Sequence, residues 1–238
     1  MNLTLDFGNT RAKIILFDGK EPVHEEVLSG DLNEALQSIA ERFHPDQCAW
    51  CNVSGNDEVL AEAIATLPCT AVHLKGTSNV PLNVCYKTRN TLGADRLAAV
   101  LGATTLRPGT PLLVIDAGTC ITFDLVDAQG NYIGGNIAPG VEMRLKALHT
   151  FTARLPQVEA EGELPEVGFN TETAIRCGVV KGATYEIEGY ATQLRKKYPN
   201  LKVFLTGGSH FSFSEEFKEN LLTDRYLVGR GLNRLLYF

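Results

Sequence analysis

A repeated hairpin signature limits the possible folds of this chain of 238 residues more than any other feature. In residues 3–17, LTLDFGNTRAKIILF, two apolar runs flank a short polar segment whose residue types favour a turn. Residues 112–126, LLVIDAGTCITFDLV, have the same arrangement, so that Asp6 aligns with Asp116. This self-similarity predicts an internal duplication, in which each hairpin opens one lobe of an α/β fold.

The polar segment of the first hairpin carries groups that suit a phosphate. Gly8 lets a ligand approach the backbone without meeting a Cβ, and Asn9 and Thr10 supply side-chain donors. The negative charge of Asp6 is compatible with a phosphate only if a cation lies between them. An isolated copy would be read as an ordinary hairpin, but two copies predict a nucleoside triphosphate bound between two lobes.

The remaining pattern predicts the same plan in both lobes, with a boundary at the proline- and glycine-rich segment 107–111. The predicted lobes are residues 1–107 and 108–238. In the first lobe, the pattern predicts further strands at 22–28, 48–53 and 71–74 and helices at 31–43, 56–67 and 92–106. In the second lobe, it predicts strands at 112–115, 119–127, 132–137 and 202–206, loops at 136–140 and 151–168, and helices at 141–149, 171–198, 217–222 and 227–236.

Charge and cysteine content exclude several function classes. The net charge of −6 argues against nonspecific nucleic-acid binding. Cys48 and Cys51 have CxxC spacing, but no second pair follows, so buried structural thiols are favoured over zinc or redox chemistry. The chain shows neither a signal peptide nor an apolar run that approaches the length of a membrane span. We therefore expect a cytoplasmic protein that binds neither membrane nor nucleic acid.

Four motifs together resemble the type III pantothenate kinase family of the actin, sugar-kinase and Hsp70 superfamily. They are DFGNTRAK at residues 6–13, GADR at 93–96, IDAGT at 115–119 and GGNIAPG at 134–140. Each motif alone is weak, but the four occur in the order and spacing of that family. The resemblance implies two ribonuclease-H-like lobes that arose by duplication, with the nucleotide in the cleft between them.

The resemblance also implies an activity and its cofactors. Members of the family use ATP to phosphorylate the primary hydroxyl of pantothenate, which gives 4'-phosphopantothenate in the first step of coenzyme A biosynthesis. The implied cofactors are Mg²⁺, which accompanies ATP, and a monovalent cation, K⁺ or NH₄⁺. The implied assembly is a homodimer whose acceptor site lies near the interface.

The resemblance assigns roles to particular residues of this chain. Asp95 is the implied catalytic base, Asp6 the residue that orients magnesium through water, and Asp116 the ligand of the monovalent cation. The implied ATP-binding residues are Asp6, Phe7, Gly8, Asn9, Thr10, Arg11, Ala12, Lys13, Gly118, Thr119, Gly207 and Gly208. The implied substrate-binding residues are Tyr86, Gly93, Ala94, Asp95, Arg96 and Thr171.

For two of these residues, Asp95 and Lys13, a second role remains open, and for Arg96 a physical argument supports the implied role. Asp95 lies in the first turn of a predicted helix, where it either accepts the substrate proton or only complements the helix dipole. Lys13 either contacts phosphate or is a solvated strand residue. Arg96 can hold a substrate carboxylate in a bidentate pair.

Glycines in the predicted helix at 171–198 each cost about 1 kcal/mol of helix stability relative to alanine. Close contacts with other helices would explain why they are present.

Two other functions compete with a pantothenate kinase. A nucleotide-binding regulator of the same fold, without kinase activity, could lack Asp95 or Arg96, whereas this chain keeps an unbroken GADR. Kinases of the same superfamily that act on sugars or acetate are usually larger. The sequence therefore favours the pantothenate kinase.

Overall fold

The structure, a computed structural model, describes residues 1–208 and 211–238 and contains two compact units. Unit 1 comprises residues 1–109, 128–134 and 225–238, and unit 2 comprises residues 110–127 and 135–224. The separation after residue 109 follows the proline-rich segment identified in the sequence. The C-terminal residues, however, pack with unit 1, whereas the sequence pattern placed them in the second lobe.

Unit 1 is built on a five-stranded sheet with the strand order β3-β2-β1-β4-β5. The first two strands pair antiparallel as the predicted hairpin, and β4 pairs parallel to β1 on its other side. Asp31 caps the first helix by accepting from the backbone N–H groups of Asn33 and Glu34. The elements are β1 (Asn2–Phe7), β2 (Ala12–Asp18), β3 (Glu21–Val27), α1 (Leu32–Phe43), β4 (Gln47–Asn52), α2 (Asp57–Ile64) and β5 (Thr70–Leu74).

The second sheet repeats this topology, with the order β11-β10-β7-β8-β9-β6. Here β7 pairs antiparallel with β8 and parallel with β10, as β1 does with β2 and β4. The repeated pairing agrees with the predicted duplication. The elements are β6 (Asn83–Val84), β7 (Leu112–Ala117), β8 (Cys120–Val126), β9 (Asn131–Pro139), α4 (Val141–Thr150), α5 (Thr171–Arg195), β10 (Lys202–Gly207), α6 (Glu215–Lys218) and β11 (Leu221–Thr223).

Two sequence predictions in the second lobe are wrong. The segment 136–140 was predicted as a loop, but β9 continues through Pro139. The short strand β6 pairs only with Asn131 and Tyr132, so the later part of β9 tolerates a residue that lacks an N–H. The segment 217–222 was predicted as a helix, but α6 ends at Lys218 and the chain then pairs with β10 as β11. Short apolar runs do not distinguish helix from strand.

Close packing between α3 (Ala94–Leu106) and α7 (Leu227–Leu235) positions the helix that carries the GADR motif. A Cβ added to Gly231 would lie 1.8 Å from the carbonyl oxygen of Ala98, and one added to Gly102 would lie 2.1 Å from that of Leu227. Only glycine permits backbones to approach this closely. The C-terminal helix therefore belongs to the unit that holds Asp95.

The glycines of α5 behave differently. Apart from the chain neighbours and the adjacent backbone of α5 itself, no heavy atom of the described residues lies within 4 Å of a Cβ built on Gly178, Gly182 or Gly189. The close helix contacts expected from these glycines are therefore not made within the described part of the chain. The face of α5 that carries these three glycines is therefore not covered by other described residues.

Candidate active site

The first hairpin closes through a turn whose backbone is exposed. In the β1–β2 register, Asp6 lies opposite Lys13 and Phe7 lies opposite Ala12. Within the turn, the N–H of Gly8 donates to the carbonyl of Arg11 at 3.0 Å. Residues 9–11 are exposed. The turn therefore presents backbone and side-chain donors to solvent at the end of two buried strands.

Asp6 sits in an unusual electrostatic environment beneath this turn. Burial raises the pKa of its carboxyl group to about 6, and the negative charge of Asp95 acts in the same direction. A hydrogen bond from the Sγ of Cys51 to Oδ1 of Asp6, at 3.5 Å, and the charge of Lys13 oppose this shift. Since a carboxylate that is short of positive partners gains from a bound cation, Asp6 is suited to a magnesium ion with its water shell.

Asp95 lies in the first turn of α3 with its carboxylate folded back over the helix end. Its Oδ1 accepts from the backbone N–H of Arg96 at 2.7 Å. Gly93 is the N-cap, and a Cβ at that position would lie 2.6 Å from the same oxygen. Gly93 therefore makes room for the carboxylate. In this position, the carboxylate of Asp95 accepts from one of the free N–H groups at the start of α3. It also lies close enough to Asp6 for its charge to raise the pKa of that residue.

The structure brings two of the sequence-predicted substrate residues together in unit 1. Arg96 is 5% exposed, and the Cζ of its guanidinium lies 5.6 Å from the centroid of the Tyr86 ring. Tyr86 in turn stacks on Tyr132, with centroids 6.2 Å apart and ring planes 13° apart. This arrangement holds a buried cation beside an aromatic ring, as an anionic substrate of modest size requires.

Two further predicted substrate residues lie at the starts of helices, Ala94 in unit 1 and Thr171 in unit 2. Ala94 is buried as the first residue of α3. Thr171 is exposed as the first residue of α5, in unit 2, directly after the N-cap Asn170. Tyr132 was not identified from the sequence, because an aromatic residue in a buried strand gives no signal that separates support of a site from ordinary packing.

The second hairpin has the same strand pairing but different side chains. Asp116 lies opposite Thr122 in the β7–β8 register and opposite Thr206 in the parallel β7–β10 register. Register partners on neighbouring strands project to the same face of a sheet. The N–H of Gly118 donates to the carbonyl of Cys120 at 2.9 Å, and Thr119 is exposed in the turn.

Glycines bring other segments of unit 2 against this second turn. Gly207 has a φ of +100°, and its Cβ would lie 2.4 Å from the carbonyl oxygen of Ala117. Gly140 is equally close to the carbonyl oxygens of Gly118 and Thr119. For Gly208, by contrast, no atom of the described residues lies within 4 Å of a built Cβ, its chain neighbours aside. Packing therefore explains the glycine at position 207.

The CxxC cysteines are buried strand residues, as the sequence predicted, but they differ in their surroundings. Cys48 and Cys51 are both fully buried in β4. Cys48 lies opposite Leu3, whereas Cys51 lies opposite Asp6. Across residues 1–208 and 211–238, no group of three or more His, Cys, Asp or Glu residues has the geometry to hold a metal ion. A cation in this site would thus depend on water and phosphate oxygens as well as on the protein.

Comparison with known proteins gives one family along most of the chain. A family model described as type III pantothenate kinase matches residues 2–193. A type III pantothenate kinase from Bacteroides fragilis strain YCH46 is 47% identical over 238 residues, which are 100% of this chain and 98% of the relative. No helix among the described residues is both long enough and apolar enough to cross a membrane.

Solved structures with low identity share the fold. A Campylobacter jejuni protein, provisionally described as a Baf family transcriptional activator, has a TM-score of 0.62 at 22% identity and covers 99% of this chain and 97% of its own. A Listeria monocytogenes protein, provisionally described as an N-acetylmannosamine kinase, has a TM-score of 0.56 at 13% identity, with coverage of 99% and 97%. The likeness to a sugar kinase confirms the predicted fold class.

Proposed function

This chain belongs to the type III pantothenate kinase family, and we propose that it transfers the γ-phosphoryl group of ATP to the primary hydroxyl of pantothenate. The product is 4'-phosphopantothenate, and the reaction opens coenzyme A biosynthesis. One observation carries the proposal for this chain. A carboxylate, Asp95, lies close to the Asp6 hairpin, and its neighbour Arg96 is a buried cation beside an aromatic ring.

We assign the proton transfer to Asp95. Phosphoryl transfer requires alignment and charge neutralisation more than covalent chemistry, and a carboxylate at the acceptor hydroxyl takes up its proton as attack proceeds. The carboxylate is held in place by the Arg96 N–H. The Arg96 guanidinium would pair with the carboxylate of pantothenate, with Tyr86 and Thr171 as further contacts.

We assign the phosphates to the two turns. Residues 6–13 would contact phosphate, with Lys13 as an additional cation opposite Asp6, and Gly118 and Thr119 are assigned to phosphate as well. Gly207 and Gly208 would border the adenine. Each turn offers small residues and exposed backbone, which suits the close approach of phosphate oxygens.

Two cations complete the proposed site. Asp6 fits Mg²⁺ because burial and the negative charge of Asp95 raise the pKa of its carboxyl group to about 6, and a bound cation would offset both effects. Asp116 fits K⁺ or NH₄⁺ because two threonines lie opposite it and neutral oxygens suit weakly held hard cations. When bound, Mg²⁺ would neutralise phosphate charge, and the carboxylates of Asp6 and Asp116 would hold the two cations.

We also propose a homodimer, with the acceptor site near its interface. Gly178, Gly182 and Gly189 are spaced with Tyr185 along a single stripe of α5. Tyr185 is 65% exposed, and space is open at all three glycines. Small residues on an exposed helix stripe let a second helix approach closely, and two-fold association is the commonest closed assembly.

Replacing Gly182 with leucine tests this dimer. The protomer has room for the added side chain, so Gly182→Leu should fold normally but lose the dimer in sedimentation analysis at micromolar concentration. Ala61→Leu, at an exposed position of α2, is the control. A wild-type mass equal to the 26.0 kDa of one chain would contradict the assembly.

The activity is tested by ADP release from ATP with and without pantothenate, in the presence of Mg²⁺ and K⁺. We expect release that depends on pantothenate. Folded protein that binds ATP but gives no such release would contradict the kinase and favour a nucleotide-binding regulator. Omission of K⁺, with and without replacement by NH₄⁺, tests the monovalent cation separately.

A further inference from the structure

We propose that Cys51 is a positioning residue for this kinase: its thiol holds the carboxylate of Asp6 in the orientation that receives magnesium-bound water. The inference rests on the role proposed above for Asp6. It goes beyond the interpretation of the CxxC pair as structural thiols, because it assigns one of the two cysteines a part in cation binding.

The sheet register places the thiol against the carboxylate. Cys51 lies directly opposite Asp6 in the parallel pairing of β1 and β4. Its Sγ donates to Oδ1 of Asp6 at 3.5 Å, although the two residues are 45 positions apart in the sequence. Cys51 is fully buried, and burial keeps the thiol protonated, so that the sulfur is the donor. With Oδ1 engaged, the second carboxylate oxygen is left to accept from a water molecule.

The other hairpin carries a hydrogen-bond donor at the equivalent place. Asp116 corresponds to Asp6 in the duplication, and its partner in the parallel register is Thr206. Thr206 is buried, with 7% exposure, and carries a hydroxyl where Cys51 carries a thiol. Both copies therefore place a small buried donor on the strand beside the aspartate. An apolar residue would fill the same volume without supplying a hydrogen bond.

The chain supplies a matched control for the role of this thiol. Cys48 is in the same strand and equally buried, but it lies opposite Leu3 and Ala71 rather than opposite an acid. Substitutions at Cys48 thus report the cost of losing a buried sulfur atom from β4. Any effect that occurs at Cys51 and not at Cys48 reflects the partner carboxylate.

The test compares alanine and serine at both positions. Alanine and serine have nearly the same size, but only serine keeps a donor. The measured quantity, called the Mg²⁺ requirement, is the Mg²⁺ concentration at which ATP binding reaches half of its maximum. It is determined by calorimetry in the absence of pantothenate. Melting temperatures report folding. Cys51→Val, which fills the site without a donor, replaces the alanine variant if the latter does not fold.

We expect Cys51→Ala to raise the Mg²⁺ requirement about three- to tenfold. This is the expected effect of losing one hydrogen bond to a charged carboxylate, reduced because a thiol is a weak donor. Cys51→Ser should stay within about twofold of wild type. Both Cys48 variants should change the melting temperature but not the Mg²⁺ requirement.

A wild-type Mg²⁺ requirement in Cys51→Ala, or equal losses in its serine and alanine variants, would overturn the proposal. A wild-type protein whose ATP binding does not depend on Mg²⁺ would overturn it as well. Failure of the kinase proposal is separate, because it would be seen as absent pantothenate-dependent ADP release while this binding measurement still gives a result.

Discussion

The two hairpins share their strand pairing but surround their aspartates with different groups. Asp6 lies opposite a lysine on one side and a thiol on the other, whereas Asp116 lies between two threonines. The first environment combines full charges with a buried donor, and the second offers neutral oxygens. Under the assignments proposed above, one duplicated scaffold would provide sites for a divalent and a monovalent cation.

The turns also differ in length. Residues 8–11 lie between the paired residues Phe7 and Ala12, while residues 118–120 lie between Ala117 and Ile121. The first turn is therefore one residue longer and exposes Arg11. The second turn is packed against Gly140, whose N–H donates to the carbonyl of Thr119 at 3.0 Å. A longer, exposed turn suits the flexible part of a phosphate chain, and a braced turn suits a fixed contact.

The largest expected effect concerns Asp95, which neither hairpin contains. Asp95→Asn keeps an oxygen that can accept from the Arg96 N–H but cannot take up a proton. Turnover at saturating ATP and pantothenate should fall about 10²–10⁴-fold, the usual contribution of a general base. ATP binding and the melting temperature should change little. A near-wild-type rate would show that Asp95 only stabilises the start of α3 and is not the catalytic base.

The next effect separates the two hairpins. Asp6→Ala and Asp116→Ala should both fold and both lose about 10–100-fold or more in turnover, the cost typical of a lost metal-orienting group. The first should mainly raise the Mg²⁺ requirement and the second the K⁺ requirement, measured by titrating each cation at saturating levels of the other. Identical shifts for both variants would break the assignment of one cation to each hairpin.

A smaller effect is expected at Thr206, which lies opposite Asp116. Thr206→Val keeps the shape of this buried side chain and removes its hydroxyl. We expect the K⁺ concentration for half-maximal turnover to rise about two- to fivefold, with little change for Mg²⁺. Thr206→Ser should restore the wild-type value. A shift in the Mg²⁺ requirement instead would show that the two sites are not separate.

The smallest effect is on stability and concerns Asp6 without ligands. Its folded-state pKa of about 6 exceeds the ordinary value of 3.8, so the folded state disfavours the ionised form. Above pH 6 wild type carries this cost and Asp6→Asn does not. The variant should therefore melt about 2–4 °C higher at pH 8, the shift that about 1 kcal/mol produces in a chain of this size.

This gain should shrink as the pH falls below 6 and disappear only below 3.8, where Asp6 is protonated in both the folded and the unfolded chain. Melting curves at closely spaced pH values provide the measurement. A gain that is constant with pH would show that the charge of Asp6 is not its origin.

Local patterns in the sequence determined much of this protein. Apolar runs on either side of D-x-G predicted both hairpins, and Asp31 marked the start of α1 where its side chain caps the helix. The resemblance to the family implied that Tyr86 and Arg96 both bind substrate; this role stays a prediction, and the structure places the guanidinium of Arg96 over the Tyr86 ring. Such features depend on neighbours in the sequence or on motifs that survive in relatives, so they can be read without coordinates.

Only the tertiary structure decided which distant residues meet. The pairing of Asp6 with Cys51 depends on a parallel register, in which strands joined by a long crossover leave no local trace. The packing of α7 on α3, through Gly231 and Ala98, likewise assigns the C-terminal residues to unit 1. Side-chain periodicity reveals which face of an element is buried, but the partner on that face is chosen by packing across the whole fold.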